Sequence, residues 1–250
     1  MVTAMPEREP RGTRRKRETR TRLLDAALRL MAEKGMEGVA INEITEAADV
    51  GFGSFYNHFE SKEAIYAALV DSVFEGYADA LDRAVGEITD PAEMIAASVR
   101  HTMLRARQEP LWGQFLLREG LSIRGLERGL GRRLLRDIQK GIAAGRFSAQ
   151  DPLMSVLAVG GTVLAAIAAD LQLMSAASSE DAALRVFALD REHLPERTAA
   201  LLLRTLGLPA AKAERISRQP LPAVADTAEA SMPPAPAKAA LRSRKKSRAA

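Results

Sequence analysis

The run VGFGSFYNHF, Val50–Phe59, decides how this chain is read. Seven Phe, three Tyr and one Trp are spread over 250 residues, yet Phe52, Phe55, Tyr56 and Phe59 fall within one short stretch. The spacing predicts a helix over 52–59. Phe55 and Phe59 share one face, with Phe52 close by. That face can pack on Leu24, Leu28 and Ile44, and a helix this short needs such bracing because it is unstable alone. The other side carries Gly53, Ser54 and Asn57, with Tyr56 and His58 at its edge. Aromatic residues at helical spacing are ordinarily core, which suffices for Phe55 and Phe59. Phe52, in the first turn, has two readings: inward to the core, or outward against a partner.

Upstream, Leu23, Leu24, Ala27, Leu28, Leu30 and Met31 recur at helical spacing from near Thr19, and Gly35 follows as a C-cap. Ile41, Ile44, Ala47 and Ala48 mark a second, shorter helix. Asp49-Val50-Gly51 then makes a tight connection, since Asp and Gly both tolerate the left-handed conformation. Two short helices joined by a tight turn, the second polar on one side, form the helix-turn-helix pattern. Gly53 lets a partner approach closely. Ser54 and Asn57 suit base edges, and the polar tips of Tyr56 and His58 suit phosphate oxygens.

Downstream, Ser61 caps a fourth helix whose stripe is Ile65, Leu69, Val73, Tyr77 and Leu81. Asp90-Pro91 marks a boundary, with Pro91 at a preferred first helical position. Further helices are predicted near 91–108, 111–121, 124–144, 152–174 and 195–206, with shorter pieces near 180–189 and 209–217. No alternating run bounded by hairpin chemistry occurs, so the fold class is all-α. The apolar segment Leu153–Ala169 is short for a membrane span and holds Ser155, Gly160, Gly161 and Thr162. It reads as a buried helix, and no membrane partner is expected.

The net charge of +4 hides an uneven arrangement. Residues 1–22 and 218–250 are each strongly basic, and the body between them is acidic. Basic ends on an acidic body fit a polyanion partner, although such tails are as often only solvated. Cysteine is absent, which removes disulfides and thiolate metal sites. His58, His101 and His193 stand far apart, without the spacing of a zinc or catalytic site. No catalytic residue, metal or cofactor is expected, and the protein is not read as an enzyme.

The stretches LLDAALRLMAEKG, INEITEAADV and GSFYNHFESKEAIYAAL together resemble the DNA-binding domain of TetR/AcrR-type transcriptional regulators, over about Thr19 to Leu69. The resemblance implies a three-helix DNA-binding domain followed by a larger helical ligand-binding and dimerisation domain. It implies that Asn42 faces the major groove, that Phe52, Gly53, Ser54, Tyr56, Asn57 and His58 occupy the recognition-helix contact positions, and that Lys62 meets a phosphate. Two positions depart from the family pattern. Val39-Ala40 stands where a Thr or Ser often caps the second helix, and Asp49 stands where Gly is common. The Arg-rich arm (Arg11, Arg14, Arg15, Lys16, Arg17) can compensate electrostatically.

On this reading residues 1–18 are a flexible basic arm and 19–84 the DNA-binding domain with its linking helix. Residues 85–217 form the effector-binding and dimerisation domain, and 218–250 a disordered basic tail rich in Ala and Pro. Leu153–Leu173 and the helix at Pro195–Leu206 would build a four-helix bundle across a two-fold axis. Candidate effector contacts are His101, Met103, Trp112, Phe115 and Met154. The helix with Arg124, Arg128, Arg132, Arg133, Arg136 and Lys140 has two readings: a solvated face, or a site for an anionic effector such as an acyl-CoA. The expected function is a cytoplasmic, homodimeric repressor of a palindromic double-stranded operator, released by a small molecule. The alternative is a helical DNA-binding adaptor or activator regulated by a protein partner.

Overall fold

The computed structural model describes residues 11–148, 151–176 and 191–224. The start of the arm, the helix expected near 180–189 and the tail beyond 224 lie outside these. Among the described residues every regular element is helical.

Helix α1 spans Arg11–Lys34 and ends where Gly35 turns to φ +75°. It therefore begins earlier than the apolar pattern, which starts near Thr19. The added turns bury nothing. From Arg14 on they are good helix formers, braced by Arg14 Nε on the Glu18 carboxylate, four residues on, at 2.8 Å. Helix α2 (Ile41–Ala47) and helix α3 (Phe52–Phe55) follow. The helix predicted over 52–59 is thus one α-helical turn. Beyond Phe55 the chain continues as tight turns, with the His58 amide on the Phe55 carbonyl at 2.9 Å. Those turns bring Ser61 into an extended conformation, from which its hydroxyl caps Ala64 N–H at 3.2 Å.

Helix α4 (Lys62–Val70) runs through a π-pitched segment, Asp71–Gly76, directly into α5 (Tyr77–Val85). Ile65, Leu69, Val73, Tyr77 and Leu81 are all buried along this single rod, as their spacing requires. Helix α6 (Pro91–Gln108) is capped by Asp90, whose carboxylate accepts Ala92 N–H at 2.9 Å. Next come α7 (Pro110–Glu119), α8 (Ile123–Glu127), α9 (Gly129–Ala143), α10 (Pro152–Ala176), α11 (Leu194–Thr205) and α12 (Ala210–Ser217). Helix α6 lies at the centre of this body and packs against α5, α7, α9, α10, α11 and α12.

The helix expected over 124–144 is broken, because Arg128 is extended and Gly129 takes φ +51°. The break abuts the π segment. A Cβ on Gly129 would stand 2.7 Å from the Phe74 carbonyl carbon, so only glycine fits. Its amide donates to Glu75 at 2.7 Å, joining the two irregular places.

The apolar helix α10 corrects another expectation. Over Pro152–Met174 it is long and apolar enough to cross a membrane, with mean hydropathy 2.0, yet only 28% of its most apolar window is buried. Val156, Val159, Val163 and Ile167 face the core, whereas Leu153, Met154 and Leu157 are exposed. Near its end the buried Asp170 accepts Arg107 at 2.8 Å and Arg191 at 2.6 Å.

Candidate nucleic-acid interface and internal cavity

Phe55 and Phe59 are buried beside Leu23, Leu24 and Ile44, with their rings 5.8 Å apart. They brace α3 as the sequence suggests. Phe52 settles outward: it is 54% exposed and Tyr56 51%, and the two rings meet edge to face at 5.7 Å. Gly53 and Asn57 are exposed, and Ser54 and His58 are half-buried. No atom lies within 4 Å of where a Gly53 side chain would begin, so a partner can approach the backbone there. Asn42 is exposed on α2, and Lys62 is half-buried with Nζ 3.5 Å from the Glu37 carbonyl. Phe52, Gly53 and Ser54 thus lie on one short, firmly seated turn of helix with an open side, Tyr56, Asn57 and His58 in the turns that follow it, and Asn42 and Lys62 on the flanking helices.

The supporting contacts were not evident from residue type alone. Asp49 takes φ 50°, the left-handed conformation foreseen for this turn. Arg22 donates to both its carbonyl and its carboxylate. In the turns beyond α3, Arg20 stacks 4.4 Å over the Phe59 ring and donates at 3.4 Å to the His58 carbonyl. Burial, then the charges of Lys16 and Arg20, hold the His58 pKa below the ordinary histidine value, so the ring is neutral at neutral pH. The missing cap at Ala40 is half replaced. Glu43 reaches back to accept Ala40 N–H at 2.9 Å and is held in turn by Lys34 at 2.6 Å.

The body holds a half-open cavity of about 120 Å³. Its walls are apolar, with Leu81, Ile95, Val99, Leu116, Leu130, Leu134, Val159 and Val163 among them. A few polar groups interrupt them: Ser98, Thr102, Asp82, Asp137 and Arg133. None of the five residues expected to contact an effector lines this space. Met103, Trp112 and Phe115 are buried in the core, and Met154 is exposed on α10. His101 is half-buried and bonds to the Pro222 carbonyl. Large side chains fill space, whereas a cavity opens where medium-sized ones leave it.

Arg133 and Arg136 of α9, with Arg128 just before it, are committed to the long rod. Arg133 holds Asp82 at 2.8 Å, Glu75 at 2.9 Å and also Asp79. Arg136 holds Asp82 and Asp137, each at 2.8 Å, and Arg128 holds Asp71 at 2.6 Å. Burial works to raise the pKa of Asp82 and Glu75, but the facing guanidiniums outweigh it and both end below the ordinary carboxylate range. These cations bind the chain's own acids, which removes much of the case for an anionic effector here.

Residues 23–69 match the family of bacterial regulatory proteins, tetR family, and residues 90–219 match the tetracyclin repressor-like C-terminal domain. The chain belongs to the tetR family. It is 42% identical over 62 residues to the HTH-type transcriptional repressor KstR2 of Rhodococcus jostii, covering 25% of this chain and 28% of that protein. It is 33% identical over 104 residues to the repressor DhaR of Mycobacterium sp. strain GP1, covering 42% and 50%. The match thus spans half or less of these curated relatives. Among solved structures, RolR in complex with its ligand resorcinol is 34% identical, with a TM-score of 0.60 over 85% of this chain and 100% of that one.

Proposed function

We propose that the protein is a homodimeric transcriptional repressor, acting in the cytoplasm, that leaves its operator when a small molecule enters the body. What carries the DNA reading is the open side of α3, where Phe52 and Tyr56 stand exposed beside Gly53 and Asn57. A major groove admits such an element, and its base edges match Ser54 and Asn57. Asn42 on α2 and Lys62 at the start of α4 complete the contact, the lysine through phosphate.

The dimer reading is supported by the outer face of α10. Leu153, Met154 and Leu157 lie exposed there, and Leu201 is exposed on α11. Gly161 and Ala165 continue the stripe, so a second helix can approach closely. A two-fold pairing across these faces would present two α3 elements to a palindrome.

For the effector, the cavity favours a small, neutral, hydroxylated ring. Its apolar walls suit one ring, and Asp137, Asp82 and Thr102 can accept hydroxyl protons. Carboxylates in the wall, and an Arg133 already paired with Glu75, Asp79 and Asp82, count against an acyl chain with an anionic head. The likeness to RolR, whose structure contains resorcinol, points the same way. Binding of full-length protein to DNA from its own promoter region tests the whole. Tyr56→Ala and Lys62→Ala are each expected to weaken operator binding, and Lys62→Ala to make the salt slope shallower by about 1. Unchanged affinity in both, with helical circular dichroism intact, would sink the assignment.

A further inference from the structure

We propose that the first turns of α1 form a second DNA contact, a rigid basic overhang lying along the phosphate backbone beside the groove that α3 enters. The proposal rests on the DNA-binding reading above. Helix α1 begins at Arg11, but the first apolar residue it buries is Leu23, so its opening turns project past the core. Between Arg11 and Glu18 the sequence holds five basic residues and one acid.

Two arginines at the root of the overhang set its direction. Arg20 is fixed to Phe59 and the His58 carbonyl, at the carboxyl end of the recognition segment. Arg22 is fixed to Asp49, in the turn that leads into it. The helix therefore leaves the core against both ends of the element that faces DNA. Going outward, the stripe that packs inward through Ala27, Leu23 and Arg20 continues as Lys16, one turn further on. Lys16 is exposed, and its charge is near enough to His58 to help lower the imidazole pKa. Arg15, on the adjoining stripe toward Thr19 and Arg22, is exposed as well.

Past the edge of the core, then, the face turned toward the helix-turn-helix unit becomes cationic next to His58. A duplex seated on α3 brings its phosphates under that face. Such contacts carry no sequence information but release counterions. Because the segment is already helical, little ordering is needed on binding, which a flexible arm would have to undergo.

The test uses the full-length protein and a short duplex of arbitrary sequence, with affinity followed by fluorescence anisotropy across a salt series. Double replacement, Arg15→Ala with Lys16→Ala, is expected to make the log–log salt slope shallower by about 1.8 per protomer. The ratio of promoter to arbitrary-sequence affinity should stay as in the native protein. Glu18→Pro keeps every cation and removes an acid, yet breaks the helix between the overhang and its root, and it is expected to weaken binding. An unchanged slope in the double variant overturns the contact, and undiminished binding by Glu18→Pro overturns its rigidity. A native protein that shows no salt-sensitive binding at all overturns the DNA reading together with this one.

Discussion

Arg22 and Asp49 meet across the helix-turn-helix bend: one guanidinium nitrogen donates 2.6 Å to the Asp49 carbonyl and 2.9 Å to its carboxylate. Glycine is common at this turn position in the family, and the carboxylate would repel phosphate. The arginine cancels that charge and holds the turn in its left-handed form. The Asp49 side chain is almost fully exposed, so the pair adds less than about 1 kcal/mol to folding. Its effect belongs to binding. Arg22→Ala is expected to leave the melting temperature nearly unchanged and to weaken duplex binding several-fold. Adding Asp49→Gly should recover part of the loss, since glycine takes the same backbone conformation without the charge. Anisotropy titrations of the three proteins check this, and a double variant no better than the single would mean Arg22 acts on phosphate directly.

Phe52 and Phe55 belong to the same turn of helix and should respond in opposite ways to truncation. Phe55 is fully buried, and Phe55→Ala is expected to cost about 3–5 kcal/mol of stability. Phe52 is 54% exposed, so Phe52→Ala should change stability by no more than about 0.5 kcal/mol and still reduce operator affinity. Urea unfolding beside DNA titration separates the two. Loss of stability on removing Phe52 would place that ring in the core instead.

The contrast shows what the sequence could convey. Ile65, Leu69, Val73, Tyr77 and Leu81 announce their helix because burial imposes a period, and all five are buried. The overhang of α1 touches no core, so the apolar pattern is silent about it and places the helix start near Thr19. The break at Arg128 is set by the close approach of Gly129 to Phe74, a distant partner in sequence. The cavity is harder still. Its wall is drawn from six helices, some giving a single residue, and includes Leu81, Val99, Leu116, Leu126, Leu134 and Val163. Nothing local distinguishes these from ordinary core, whereas Trp112 and Phe115 attract notice by the size that makes them fillers.

Acid should loosen the joint between the rod and α9. Asp82 and Glu75 have pKa values below the ordinary 3.8 and 4.5, despite burial that works the other way, because Arg133 and Arg136 bond to them. Asp90 is likewise lowered against burial by Arg146 and by the Ala92 amide it caps. A carboxylate with a depressed native pKa contributes stability that is complete above its unfolded value and is lost as pH falls through the native one. Stability should therefore be flat in this respect above pH 4.5, begin to fall below it, and decline further beneath 3.8. Asp82→Asn should flatten that decline while lowering stability at neutral pH. Thermal melts across the acid range decide it, and an identical acid profile in the variant would remove the ion pairs from the account.

Helix α7 gives the cavity a short route to the DNA-binding unit. Leu116, Gly120 and Leu121 line the cavity, and between them Arg118 and Glu119 hold that unit. Arg118 donates to the Glu33 carbonyl at 2.9 Å, near the end of α1, and Glu119 accepts the Tyr66 hydroxyl of α4. A ligand that displaces the wall must move these two side chains with it, because they share one helical turn. A bound molecule shifts DNA affinity only by what it contributes differently to the two states, so cutting the link should abolish the response without abolishing either binding event. The variant Arg118→Ala with Glu119→Gln is therefore expected to keep duplex affinity within a few-fold of native. With resorcinol as the first small phenol tried, its melting temperature should rise as in the native protein, while its DNA binding should no longer fall. If the native protein releases DNA on adding the phenol and the variant does so equally, the signal runs elsewhere, and the Arg133 clamp between α9 and the rod becomes the next link to cut.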